Sequence, residues 1–104
     1  NTITQITPKG VTYTDVEGKA HFIDFSICQE NNIARLKNQP WWNEEKATFY
    51  HKMKYMGIRF ALSDPPALEF YTKPHVRFEF TTYDTLYDVL DEIRAFGFRT
   101  IDGD

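Results

Sequence analysis

A chain of 104 residues is long enough for one self-sufficient core and nothing in it suggests a second, so residues 1–104 are read as a single domain. Twelve basic residues against 15 acidic ones leave a net charge of −3, which disfavours nucleic acid as a partner because sequence-independent binding needs a basic surface. Aromatic residues make up 16% of a chain of low mean hydropathy, so an aromatic rather than aliphatic core is expected.

In chain order, residues 2 to 6 alternate imperfectly and read as an edge strand before the Pro8-Lys9-Gly10 turn. Residues 11 to 28 read as a hairpin: Val11 to Asp15, a turn holding Glu17 and Gly18, then a long strand from Ala20 to Cys28. In that strand Ile23, Phe25 and Ile27 share one face, and Phe22 interrupts the polar one. With Gly18 in the left-handed position, Asp15 pairs with Lys19 and Val11 with Ile23. A short helix around Ile33 and Leu36 follows, over residues 30 to 38, ended by Pro40. A stronger one is expected from Asn43, with Glu44 and Glu45 in its first turn, Lys52 and Lys54 near its end and Gly57 as its stop. Its apolar stripe is Trp42, Phe49, Met53 and Met56.

Residues 58 to 62 read as a strand running into Ser63-Asp64-Pro65-Pro66. The segment 67 to 97 is the best specified. Leu68 and Phe70 oppose Glu69 and Tyr71 in one strand, and Val76, Phe78 and Phe80 oppose His75, Arg77 and Glu79 in the next. An odd-numbered loop keeps the apolar faces together, which sets Phe70 opposite Phe78, Tyr71 beside Arg77 as a cation-π pair, and Glu69 opposite Glu79. The final helix buries Leu86, Val89, Leu90, Ile93 and Phe96, starts at a Thr81/Asp84 capping box and stops at Gly97. Residues 98 to 101 are a candidate last strand. Hairpins imply antiparallel pairing, so the expected class is α+β: a mostly antiparallel sheet of two hairpins plus extra strands, with a central helical segment and a C-terminal amphipathic helix on one face.

Reactive chemistry is thin. Cys28 with His51 and Asp24 would make a thiol nucleophile, base and orienter, but no local signature surrounds the cysteine, and a packed, inert thiol is expected. His21, His51, His75 and Cys28 show no zinc-type spacing, so no metal and no cofactor are expected. Asp84, Asp88, Asp91 and Glu92 match the wet side of the last helix rather than a catalytic carboxylate pair. Pro40-Trp41-Trp42 cannot direct both indoles into one core, so Trp41 is either a lid on a sheet edge or a contact for a partner. Lys46, Lys52, Lys54 and Arg59, mixed with Tyr50, Tyr55 and Phe60, form the one basic aromatic stretch, the minor case for single-stranded nucleic-acid binding.

The expectation is therefore a non-catalytic interaction or scaffold domain whose partner is an unidentified protein or a second copy, as in a homodimer. Candidate contacts are Trp41, Tyr71 and Arg77, with Phe98 and Ile101 on the edge strand. The alternative is a small enzyme or ligand binder with a pocket where His51, Cys28 and Tyr55 converge. One cysteine excludes an internal disulfide, and no apolar run is long enough to cross a bilayer, so no membrane role is expected. Asn1 in place of an initiator methionine leaves processing or excision open, and cytoplasmic is the default location.

Overall fold

The computed structural model describes residues 1–45, 56–72 and 75–102. Among them the elements are β1 (Thr2–Thr7), β2 (Gly10–Thr14), β3 (Ala20–Asp24), α1 (Phe25–Leu36), β4 (Ile58–Ala61), β5 (Ala67–Phe70), β6 (Val76–Glu79) and α2 (Tyr83–Ala95). The class is α+β as expected, but the strands form two antiparallel three-stranded sheets, β1-β2-β3 and β4-β5-β6. The expected helix from Asn43 is helical at residues 44 and 45; its remainder, with Phe49, His51, Met53 and the lysines, lies outside the described residues.

The first sheet follows its turn chemistry. Gly18 sits at φ +84°, the Asp15 amide donates to Lys19 O at 2.9 Å, and Val11 pairs with Ile23. The Asp15 carboxylate accepts from the Glu17 and Lys19 amides, an arrangement that pins the turn from its own first residue. β1 pairs with β2 through a bulge between Ile3 and Gln5.

The long strand expected to reach Cys28 ends at Asp24 instead. There the Asp24 carboxylate accepts from the Ser26 amide at 2.8 Å and caps α1, and the Phe25 amide donates back to Lys9 O. The buried positions of α1, namely Phe25, Cys28, Asn32, Ile33 and Leu36, have helical spacing, while Ile27, placed inward by the strand reading, is 49% exposed. An apparent alternation over Ile23, Phe25 and Ile27 concealed this stripe because two of its inner residues, Cys28 and Asn32, are not large hydrophobes.

In the second sheet the loop is odd-numbered as expected, spanning residues 71 to 75, and the apolar faces coincide. The pairing is nevertheless displaced by two residues: Leu68 faces Phe78, Phe70 faces Val76 and Glu69 faces Arg77. The Glu69/Glu79 opposition and the Tyr71/Arg77 pair are both replaced, since Arg77 reaches Glu69 at 2.6 Å and Glu79 at 3.4 Å. The Tyr71 ring instead receives Arg35 of α1, 5.0 Å from its centroid.

α2 is capped one residue later than the sequence pattern indicates. Thr82, not Thr81, accepts from the Thr85 amide, and Gly97 at φ +83° follows its end. Leu86, Leu90 and Ile93 are buried and Val89 packs at the margin, but Phe96 is exposed because the helix ends at Ala95 before the stripe completes another turn. Residues 98 to 101 form no regular strand. They lie along β4, with Met56 N donating to Arg99 O and Ile101 N to Ile58 O.

Both sheets and both helices contribute to one buried cluster. Its large members are mainly aliphatic, with Phe25, Phe70 and Phe78 the buried rings, whereas Tyr13, Phe60, Phe80 and Phe98 pack at its margin. The expected aromatic core is thus an aliphatic one rimmed by rings among the described residues. Phe78 joins the layers, edge-on to Tyr13 of the first sheet at 5.0 Å and to Phe70 of its own at 5.6 Å.

Candidate functional site: a groove along β1

A groove of about 530 Å³ runs along β1 from Thr2 to Ile6. Residues 1 to 6 form one wall and residues 78 to 81, from the end of β6 into the turn before α2, form the other. Thr85, Val89 and Glu92 from one side of α2 close it. The arrangement follows from the packing: α2 buries Leu86, Leu90 and Ile93, which leaves the neighbouring helical positions facing the edge of the first sheet.

Ile3, Ile6, Phe80 and Val89 are partly buried and make the groove apolar within. Its ionisable side chains are Glu79 and Glu92, with no lysine, arginine or histidine among the described lining residues. Glu79 is drawn toward Arg77, while Glu92 is exposed and has no ion pair among the described residues. Among the described residues β1 has a strand neighbour on one side only, which makes it an edge strand of the first sheet.

A second groove, of about 620 Å³, is lined by Tyr13, His21, Phe22, Ile23, Asp24, Ile27, Asn31, Thr72 and Val76. Phe22 covers Gly10, where a Cβ would strike both the Phe22 ring and the Ile23 carbonyl. His21 stacks on Tyr13 at 5.0 Å and its Nε2 lies 2.7 Å from Asp15 Oδ2. The His21 bond is the main reason the Asp15 carboxyl is held below its ordinary range, with the Lys19 amide second. No cysteine or serine is among the described residues of this groove.

The candidates from sequence are dispersed. Trp41 is 44% exposed beside Trp42, with ring centroids 6.4 Å apart. Tyr71 is engaged by Arg35 and by His75, 4.6 Å away, and Arg77 by two glutamates. Phe98 packs on Phe25 at 5.2 Å, and the Ile101 amide is bonded to β4. Cys28 is buried in the first turns of α1, and loss of solvation, reinforced by Asp24, pushes its thiol up to about 12. His51 and Tyr55, its expected companions in a pocket, lie outside the described residues, as do Lys46, Tyr50, Lys52 and Lys54 of the basic stretch. Arg59 approaches Asp102 at 3.9 Å, and Phe60 packs on the core. No group of three or more metal-ligating side chains is present among the described residues, and none of their helices is long and apolar enough to cross a membrane.

No family model matches the chain, and no curated protein or solved structure is significantly similar to it. The sequence reading missed the β1 groove because its walls come from opposite ends of the chain. The signal was present only in fragments: an edge strand with Ile3 and Ile6, and a helix whose Val89 stands at the margin of its stripe.

Proposed function

We propose that this chain is a small non-catalytic interaction domain that takes an extended segment of another protein, or of a second copy, into the groove beside β1. The observation carrying this is the coincidence of an edge strand with a groove that follows it from Thr2 to Ile6 and holds Ile3, Ile6, Phe80 and Val89. Strand addition uses both features, the peptide groups for affinity and the pocket for alternate side chains. The buried, hard-to-ionise thiol of Cys28 supports the non-catalytic part, since the thiolate is the nucleophilic form.

A ten-residue peptide of alternating valine and threonine, titrated while backbone amide shifts are followed, tests the groove. The expected result is perturbation confined to residues 1 to 6, 78 to 81 and 85 to 92, abolished by Thr85→Trp, which fills the groove from an exposed position. Sedimentation over a wide concentration range tests the second-copy form. A monomer throughout, together with no shift from any extended peptide, overturns the proposal.

A further inference from the structure

Resting on that groove as a peptide site, we infer that its occupant is an extended segment alternating apolar residues with lysine or arginine. Two observations independent of the edge position of β1 lead there. The inner surface offers Ile3, Ile6, Phe80 and Val89, which suits every second side chain of a strand laid along β1, because successive side chains of a strand point to opposite sides. The only ionisable side chains among the described lining residues are Glu79 and Glu92.

Their environments differ in a way that sharpens the inference. Glu79 shares Arg77, which also holds Glu69, so part of its charge is answered within the chain. Glu92 is exposed on α2 and has no ion pair among the described residues. An incoming cation would meet Glu92 without displacing an existing partner, whereas an incoming carboxylate would face two like charges beside an apolar surface that excludes water. Such charges mainly set partner choice and association rate.

The second groove is a poorer match for the same ligand. Its one carboxylate, Asp24, already accepts from the Ser26 amide of the α1 cap, and its His21 is already held by Asp15. Its Asn31 donates to Tyr71 O at 2.9 Å.

Three ten-residue peptides of alternating valine and threonine, with two central threonines replaced by lysine, glutamine or glutamate, test this with the intact chain at low and moderate salt. Binding is read by fluorescence anisotropy, and location by amide shifts. The lysine peptide is expected to bind at least about tenfold more tightly than the glutamate one, with the preference shrinking as salt rises. Glu92→Lys, a substitution at an exposed position, should remove or invert the preference, read as the ratio of the lysine-peptide and glutamate-peptide affinities. Equal binding of all three peptides in the β1 groove overturns the charge inference and leaves the peptide site standing. No binding by any of them overturns both, as does a lysine preference whose shifts map away from residues 1 to 6 and 85 to 92.

Discussion

α2 turns Leu86, Leu90 and Ile93 into the core along an unbroken aliphatic stripe, whereas α1 buries Cys28 and Asn32 between Phe25 and Leu36. α1 is fixed by contacts with distant parts of the chain. Asn31 Nδ2 donates to Tyr71 O, Arg35 lies over the Tyr71 ring, and Gly57 passes so close that a Cβ there would strike the Cys28 carbonyl. α2 needs fewer such fixings, because apolar area alone orients an amphipathic helix. A helix can therefore be held by the grease it carries or by the neighbours it meets, and only the first kind is written within its own span.

Two substitutions of large effect sharpen this contrast. Leu90→Ala should cost about 2–5 kcal/mol through lost burial and the cavity left behind, read as a fall in the urea midpoint. Gly57→Ala should cost about 3 kcal/mol or more although it adds only a methyl group, since it meets both a φ of +68° and the Cys28 carbonyl. Hydrogen exchange should then show α1 amides losing protection before those of α2. If Gly57→Ala is nearly neutral, α1 does not depend on that close approach and the contrast fails.

The caps give smaller effects. Asp24→Ala and Thr82→Ala should each cost about 1 kcal/mol, while Thr81→Ala should fall within experimental error because its hydroxyl is not the one bonded to the Thr85 amide. Equal losses at Thr81 and Thr82 would return the start of α2 to the earlier residue.

The smallest effect is a pH dependence at the first turn. The Asp15 carboxyl titrates below its unfolded value of 3.8, so its contribution is fully present above that value and is lost as pH falls through the lower folded one. His21→Phe keeps the stacking on Tyr13 and removes the leading cause of the shift, so the variant should lose less stability than the parent on acidification over this interval. Urea midpoints measured at several pH values down to about 2 check it. Parallel acid profiles would show that His21 does not hold the carboxylate.

How far the fold could be read depended on what each pattern constrains. The first hairpin was legible to the residue pair because Gly18 fixes the turn and the turn fixes the register. In the second, alternation of Leu68, Phe70, Val76 and Phe78 settled which side chains share a face, but a displacement of two residues preserves every face, so the pattern could not choose between Phe78 and Val76 as the partner of Phe70. α1 was illegible beyond its second half because Cys28 and Asn32 give a weak apolar signal and Ile27 gives a false one. The groove was less legible still, for no local period connects Ile3 with Val89.

The tail beside β4 has a further consequence. Ile101 N bonds to Ile58 O, and Phe60 N is received by the Asp102 carboxylate at 2.8 Å, so the outer border of β4 is finished off by the chain itself. Stacking of copies through that border is therefore blocked at the first step, and any growth of the second sheet by an added chain would have to proceed from β6. Trimming the chain after Gly97 would remove this hem and leave β4 a bare edge strand.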